Sequence, residues 1–386
     1  MLKHQKEKFS LTDDDVTYLN TSYMSPMLKN AEKAGIEALQ RKSHPFSITP
    51  NDFFEPVTHL KKLYTKLIDV NDYQSIACIP SVSYGVATVA NNIKLNAGDE
   101  ILVIEDQFPS NYYSWKKLAE KYNAVLKTVT KPKTKTQKAK HWNADILNAI
   151  TKKTVVVAMC HVHWADGTLF DLTSIRKKTK EHDALLIIDG TQSVGAMPFS
   201  VEKLQPDALI CAAYKWLLGP YSFGFAYFGP YFDNGSPIEE SWANRVESEN
   251  FAGLTNYNDN YKEGANRYCM GESANFISVP IATKAIEQII DWTPAGIQDY
   301  CYHISKEALN QLQNLGFTVE DDAYRGHHLI GIEIPDFIDI EQLKTAFTKQ
   351  NIYVSIRGNY IRVSPHLYCD KSDFDKLVNC IKSIIN

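Results

Sequence analysis

The amino-acid sequence predicts an α/β protein with a mainly parallel sheet between helices and a smaller α+β domain at its C-terminal end. From about residue 75 to 230, short apolar runs alternate with amphipathic segments, which is typical of βαβ units. The chain has 386 residues, of which 44% are apolar, so it can bury a large core divided into one large and one smaller domain.

Seven apolar runs are the candidate strands of this sheet. Most are nearly free of internal charges, as expected for strands covered on both faces. Amphipathic segments such as 111–123 and 171–183 predict the helices that connect them. The runs are SIACIP (75–80), EILVIED (100–106), AVLKTV (124–129), TVVVAMC (154–160), ALLIIDG (184–190), ALICAA (208–213) and FGFAYF (223–228).

The C-terminal part has a different pattern. A helical stretch at about 278–315 is followed by the strand LIGIEI, the helix IEQLKTAFTKQ, strands around VSIRGNYIRVSP and the helix SDFDKLVNCIKSII. This order predicts a compact α+β unit. We expect residues 16–265 to form the large domain and residues 1–15 with 266–386 to form the small one.

Composition and charge exclude several classes of protein. The net charge of −4 gives no bulk electrostatic reason to bind nucleic acid, and we expect the basic run at 131–140 to be a solvated loop or hairpin tip. The seven cysteines are scattered and form no CxxC pair, which argues against a disulfide framework or a zinc site. No leader or membrane-spanning pattern is visible, so we expect a cytoplasmic protein without membrane or nucleic-acid partners.

Polar and aromatic residues follow several predicted strands, where an open parallel sheet binds its ligands. Asp189 ends ALLIID, Lys215 follows ALICAAY, Ser81 and Ser83 precede a helical segment, and Phe108 follows ILVIED. A helix N-terminus suits a phosphate, an aromatic ring can stack on a heterocycle, a buried carboxylate can pair with a ring nitrogen, and a desolvated lysine can attack an aldehyde. Together these features describe a site for pyridoxal 5′-phosphate (PLP).

The motifs of the chain resemble those of the class V aminotransferase family of fold-type I PLP enzymes, alongside cysteine desulfurases, kynureninases and isopenicillin N epimerase-like proteins. The most specific stretch is IDGTQSVG, followed 26 residues after its aspartate by a lysine close to a Gly-Pro pair. The other matching stretches are YLNTSYMSP (18–26), SVSYGVATVAN, QFPSNYYSW, HVHWADGTLFDL, DALICAAYKWLLGP and IRVSPHLYCD (361–370).

This resemblance implies roles for residues around the cofactor ring. Lys215 would bind PLP covalently and then act as acid and base at the substrate Cα. Asp189 would hold the pyridine nitrogen, Gln192 would hydrogen-bond the ring hydroxyl, and Phe108 would stack on the ring. Further cofactor-binding positions are implied near the phosphate and beside the ring: Val82, Ser83, Tyr214 and Trp164.

Other implied positions lie farther along the chain. Trp242 and Ser273 resemble residues that reach the phosphate from a second subunit, which implies a homodimer with shared active sites. Arg362 resembles the arginine that binds the substrate carboxylate, and Tyr23 is the second expected substrate contact. No metal site is expected, so His161 and His163 are assigned a structural or substrate-lining role.

The resemblance implies an enzyme that acts on an amino acid through an external aldimine and Cα deprotonation. Transamination is our working prediction. The alternatives are a C–S or C–C lyase, an amino-acid epimerase and a PLP-binding regulatory homologue. Persulfide-forming desulfuration is disfavoured, because IRGNYIRVS carries no cysteine to accept sulfur. The regulatory alternative draws on Ala212 and Ala213, which stand where family members often have a serine.

Overall fold

The computed structural model describes residues 2–13, 15–134 and 137–385. Its strands are β1 (Thr17–Tyr18), β2 (Ile76–Ile79), β3 (Glu100–Ile104), β4 (Val125–Val129), β5 (Thr154–Cys160), β6 (Leu185–Asp189), β7 (Ala208–Ala212), β8 (Gly224–Phe228), β9 (Thr318–Val319), β10 (Ile330–Glu333), β11 (Ile352–Tyr353), β12 (Ser355–Arg357) and β13 (Tyr360–Val363).

The α-helices connect and flank these strands. They are α1 (Lys29–Lys42), α2 (Glu55–Ile68), α3 (Val82–Asn91), α4 (Tyr113–Tyr122), α5 (Lys138–Ala149), α6 (Leu172–Glu181), α7 (Val201–Leu204), α8 (Ser278–Trp292), α9 (Pro294–Asn314), α10 (Ile340–Lys349) and α11 (Lys371–Ile385). None of the helices in the described ranges is both long and apolar enough to cross a membrane.

The central sheet has seven strands in the order β2-β8-β7-β6-β5-β3-β4. β8 is antiparallel to both of its neighbours, and the other pairs are parallel. All side chains of β6, β7 and β8 are buried, as their continuous apolar sequences predict. The predicted mainly parallel seven-stranded sheet is therefore confirmed, and each of the seven apolar runs supplies one strand.

The C-terminal part contains a four-stranded antiparallel sheet in the order β12-β13-β10-β9. Helix α9 contacts β9 of this sheet, α11 packs against α9, and α10 packs against α11. The N-terminal strand β1 pairs in parallel with β11, and Asn20 forms a bridge to Ser364. Residues 17–20 therefore lie against the C-terminal unit. The division into 16–265 and the remaining residues stays a proposal.

One local expectation differs from the structure. The basic run is not a solvated loop throughout, because Lys138 begins α5 and is buried; residues 135–136 of the run lie outside the described residues. The predicted helical stretch at 278–315 forms two successive helices, since the φ of 61° at Thr293 ends α8 and the Thr293 side chain caps α9. His328 is fully buried.

Candidate active site

A cavity of about 270 Å³ lies at the carboxyl ends of the parallel strands. It is lined by segments that follow β2, β3, β5, β6 and β7, because the ends of neighbouring parallel strands meet at one edge of the sheet. The cavity brings together eight positions predicted from the sequence: Val82, Ser83, Phe108, Trp164, Asp189, Gln192, Tyr214 and Lys215.

Asp189 is the last residue of β6 and is buried at the wall of this cavity. The backbone N–H of Thr191 donates to its Oδ1 at 2.9 Å. Burial raises the pKa of Asp189, while the bonds from Thr191 and the positive charge of Lys215 oppose that shift. A buried carboxylate of this kind is suited to a cationic partner inside the cavity.

Lys215 lies three residues beyond the end of β7, and its side chain is also buried. Burial lowers the pKa of Lys215 to about 8; the carboxylate of Asp189 opposes the shift, and the positive charge of Arg362 adds to it. Its Nζ lies 5.5 Å from the centre of the Phe108 ring and 5.4 Å from that of Tyr214. Near neutral pH a larger fraction of this amine is therefore unprotonated and nucleophilic than in an exposed lysine.

The N-terminus of α3 forms another wall. The Ser81 hydroxyl caps the helix by accepting the backbone N–H of Tyr84 at 3.2 Å, and it lies 2.9 Å from the hydroxyl of Ser83. Val82 and Ser83, the first two residues of the ten-residue helix, line the cavity. Free N–H groups and the positive end of the helix dipole suit a phosphate at this position.

Two aromatic side chains form a further wall of the cavity. The rings of Phe108 and Trp164 meet edge to face, with centres 5.5 Å apart. The Trp164 indole donates to the carbonyl of Asp106 at 2.7 Å, which ties the turn after β5 to the turn after β3. A planar ligand in the cavity would therefore lie against a fixed aromatic wall.

Gln192 is held from two sides. Its Nε2 donates to the carbonyl of Ser22 at 3.1 Å, and its Oε1 accepts the Trp216 indole N–H at 2.8 Å. Its backbone carbonyl accepts the Nε2–H of His328 at 2.6 Å, which explains why that histidine is buried. One N–H of the Gln192 amide remains for a ligand.

Arg362 does not line the cavity but is joined to its wall. Its Nη1 donates to the carbonyl of Trp164 at 2.7 Å, and its Nη2 donates to the Ser355 hydroxyl at 3.1 Å. Its Nε is buried without a hydrogen-bond partner. Such a buried donor is costly when unpaired, so it indicates an acceptor that belongs to a ligand.

Three predicted positions lie away from the cavity in this chain. Trp242 packs against Phe53, Phe54 and Phe251, and Ser273 lines a separate cavity beside α2. Tyr23 is 57% exposed and lines a cavity beside β12. The single chain therefore does not bring these three side chains to the PLP site, whereas it does bring the eight named above.

The two histidines that follow β5 contact side chains and backbone groups of the protein. His163 faces Asp166 Oδ1 at 3.0 Å and the carbonyl of Asp106 at 3.2 Å. His161 packs against Phe199, and burial lowers its pKa to about 4. In the described part of the chain, no cluster of three or more metal-binding side chains was found.

Some residues of the site were not predicted. Thr191 lies inside the DGTQ motif, so its role as the donor to Asp189 could have been found from the turn that follows the strand. Tyr221 and Ser222 line the cavity from the loop before β8, and Ser355 supports Arg362 from a neighbouring strand. Their sequence surroundings carry no signal that separates them from ordinary loop and strand residues.

The cavity fits PLP group by group. The helix N-terminus suits the phosphate, the aromatic wall suits the ring, Asp189 suits the pyridine nitrogen, and Lys215 suits the aldehyde. Asp189 and Lys215 line the same cavity and influence each other's pKa, so both groups are close enough to act on one bound ligand. The fold and this cavity define a fold-type I PLP-dependent enzyme.

The aminotransferase class-V family matches residues 39–368, so the chain belongs to this family. It is similar to the uncharacterized aminotransferase YcbU of Bacillus subtilis, with 25% identity over 316 residues that cover 80% of this chain and 79% of that protein. A probable cysteine desulfurase of Halalkalibacterium halodurans is 27% identical over 312 residues, which cover 76% of this chain and 72% of the relative.

Solved structures share the fold over the whole chain. A C-DES lysine variant with glycine covalently linked to its PLP cofactor superposes with a TM-score of 0.86 at 18% identity, covering 98% of this chain and 99% of that one. The complex of the cystine C–S lyase C-DES with cysteine persulfide gives a TM-score of 0.84 at 19% identity, covering 96% and 98%.

Proposed function

We propose that this enzyme transaminates a small α-amino acid. The observation that carries the proposal is that Lys215, whose pKa is lowered to about 8, and the buried carboxylate of Asp189 line one cavity. PLP, when bound, supplies an aldehyde for the amino group and a ring that withdraws electrons from Cα. The cavity of about 270 Å³ leaves little room beside the cofactor, which favours a small substrate.

Each residue around the cavity would have a separate role in binding the cofactor or in moving a proton. Asp189 would keep the pyridine nitrogen protonated, because a buried carboxylate stabilises an adjacent cation. Lys215 would present its neutral amine to the aldehyde and later remove and return the Cα proton, since a base with a pKa near the working pH is an efficient proton carrier. Val82 and Ser83 at the start of α3 would hold the phosphate through backbone N–H groups.

Arg362 would bind the α-carboxylate of the substrate. Burial lowers its pKa to about 10, with a further contribution from the positive charge of Arg357, so the guanidinium is still cationic at neutral pH. Its Nε–H has no partner, and its other nitrogens are held by Trp164 and Ser355. This arrangement fixes the guanidinium in one orientation beside the wall of the cavity.

We also propose a homodimer with shared active sites. Trp242 is 42% exposed among aromatic neighbours, and Ser273 lies beside the same region of the surface. Neither reaches the cavity of its own chain, so a role at the phosphate requires a second copy. Size-exclusion chromatography with light scattering tests this assembly, and a monomer that binds PLP and turns over substrate would contradict it.

Cleavage of a C–S bond is the second candidate. Similarity to the cystine C–S lyase C-DES supports it, as does the burial of all seven cysteines in this chain. Burial raises the pKa of Cys369, which lies in the core beyond Arg362 and is poorly placed to accept sulfur from a substrate. A lyase that releases its sulfur product needs no such acceptor, whereas a persulfide-forming desulfurase does.

A spectral screen of amino acids with product analysis tests both candidates. Transamination converts the bound cofactor to its amine form and yields a 2-oxo acid, while β-elimination from cysteine-like substrates yields pyruvate and ammonia with the aldehyde form retained. Loss of optical activity without a new product would indicate epimerisation. A protein that binds PLP but turns over no amino acid would contradict the enzyme proposal in favour of a regulatory homologue.

A further inference from the structure

A second guanidinium, that of Arg357, lies beside Arg362 on the β12–β13 hairpin. The two strands are antiparallel, with Ser355 opposite Arg362 and Arg357 opposite Tyr360. In an antiparallel pair of strands, two residues directly opposite each other point to the same face. Residues two positions apart on one strand also point to the same face. Arg357 and Arg362 therefore share one face, which is the face that contacts Trp164.

Arg357 lies between two cavities. Its guanidinium carbon is 5.9 Å from the centre of the Trp164 ring, which is part of the cofactor cavity wall. Arg357 also lines a second cavity of about 520 Å³, which we call the hairpin cavity and which includes Asn20, Tyr23 and Ser355. A substrate side chain that extends past Trp164 would therefore come close to Arg357.

The guanidinium groups of Arg357 and Arg362 are not paired with a carboxylate. This holds for the residues that the structure describes, among which no carboxylate forms an ion pair with either arginine. Asp166, two residues after Trp164, is held instead by Lys131 at 2.8 Å and Lys138 at 2.7 Å. Within the described ranges, the one hydrogen bond that Arg357 donates goes to the carbonyl of the adjacent Ile356, at 3.0 Å.

The electrostatic effects agree with this geometry. The charge of Arg357 contributes to the lowered pKa of Arg362, and both arginines lower the pKa of Lys215. Two cations are therefore close enough to Lys215 to act on a ligand there. One α-carboxylate would neutralise only one of them, so the site is complementary to a ligand with two negative charges.

We propose that Arg357 binds a second carboxylate carried by the substrate side chain, so that the preferred substrate is an acidic α-amino acid. The proposal rests on the proposed function in one respect, namely that Arg362 takes the α-carboxylate. It goes further by naming the substrate class and the residue that selects it. A guanidinium suits this role because its planar donor pair matches a carboxylate in geometry as well as charge.

Binding of unreactive carboxylates to the PLP-loaded enzyme tests the proposal without requiring turnover. Isothermal titration calorimetry compares succinate, with two carboxylates, with propionate, with one. We expect succinate to bind about 10- to 100-fold more tightly to the wild type. Arg357→Met should abolish this preference, and Arg357→Lys should retain part of it.

Lys344→Met is the matched control. Lys344 also lines the hairpin cavity, but it is exposed and pairs with Glu341 at 2.7 Å, so its loss should leave the preference for succinate unchanged. Equal affinity of the wild type for succinate and propionate would overturn the proposal. Retention of the preference in Arg357→Met would overturn it as well.

The two proposals fail in distinguishable ways. If the enzyme turns over neutral amino acids but binds succinate no more tightly than propionate, the proposed function survives and the assignment of Arg357 fails. If Arg357 determines the preference for succinate but no amino acid changes the cofactor spectrum, the assignment stands and the proposed function fails. Comparing kcat/KM for aspartate and asparagine then extends the result to substrates, with at least tenfold preference expected for the acid.

Discussion

At the scale of single residues, Asp189 and Lys215 each lower the free-energy cost of burying the charge of the other. Burial raises the pKa of the carboxylate and lowers that of the amine, so each group alone would tend to become neutral. Their mutual attraction and the donor from Thr191 limit both shifts. The result is a carboxylate suited to a cationic ring and an amine that gains and loses a proton near neutral pH.

Replacing Asp189 with a neutral group of the same shape should impair catalysis without unfolding the protein. In Asp189→Asn the side-chain oxygen can still accept the N–H of Thr191, but the charge that we propose keeps the pyridine nitrogen protonated is lost. We expect kcat to fall about 100-fold or more, equivalent to ~3 kcal/mol. Steady-state kinetics measure this, with the exposed Asp145→Asn as control; a kcat within twofold of the wild type would contradict the role.

The lowered pKa of Lys215 predicts a pH-dependent stability of the protein stripped of cofactor. The pKa of an unfolded lysine is about 10.4, against about 8 in the folded chain. Between these values the unfolded state binds more protons, so the free energy of unfolding rises with pH across this window and the full penalty applies below pH 8. We therefore expect Lys215→Met to raise the free energy of unfolding at pH 7 by ~1–3 kcal/mol.

Urea denaturation at pH 7 and at pH 10.5 measures this effect. The gain should shrink at the higher pH, because the lysine is then neutral in the folded state and about half neutral in the unfolded state. Lys344→Met, at an exposed position, should change stability little at either pH. A Lys215→Met protein that is less stable than the wild type at pH 7 would contradict the account of burial at this position.

At the scale of elements, the turn after β6 depends on Gly195. Its φ is +94°, and a Cβ at this position would lie 2.4 Å from the backbone oxygen of Trp216, the residue after Lys215. The glycine therefore allows two segments of the site to approach closely. This explains physically why a glycine ends the DGTQSVG motif.

Gly195→Ala should lower the free energy of unfolding by about 2 kcal/mol or more, since it combines backbone strain with a clash against a backbone atom. Gly98→Ala is a matched control, because Gly98 has a similar φ of +87° and no atom within 4 Å of its ideal Cβ. We expect the control to lose only about 1 kcal/mol. Chemical denaturation compares the two, and equal losses would contradict the importance of the close approach.

The elements of the central sheet could be predicted from the sequence, whereas some others could not. Continuous apolar runs identify buried parallel strands because no other short element is apolar on every side. The helical stretch predicted at 278–315 is also present, as α8 and α9 on either side of Thr293. Lys138 was assigned to solvent by its charge, but its partner Asp166 is 28 residues away and invisible to a local pattern.

At the scale of the whole molecule, the site joins segments from distant parts of the sequence. The motifs identified the residues that line the cofactor cavity, and the structure places them together. The support of Arg362 could not be predicted, since its bonds to Trp164 and Ser355 depend on how the C-terminal hairpin lies against the turn after β5. The phosphate-binding roles proposed for Trp242 and Ser273 likewise depend on an assembly, which the sequence of one chain does not describe.

Trp242→Ala tests that assembly through the cofactor. If Trp242 reaches the phosphate of a second subunit, its loss should raise the Kd for PLP about tenfold, although the residue lies outside the cavity of its own chain. Fluorescence titration with PLP measures the Kd, with the 67% exposed Phe337→Ala as control. An unchanged Kd in a protein that remains dimeric would contradict a shared site.

The central claim is that Lys215 and Asp189 face one PLP molecule in a single cavity. Borohydride reduction of the PLP-loaded enzyme, followed by peptide mass analysis, tests it most directly. The account predicts a pyridoxyl phosphate adduct on Lys215, absent from Lys215→Ala. An adduct confined to a different lysine, or no adduct in a protein saturated with PLP, would contradict it.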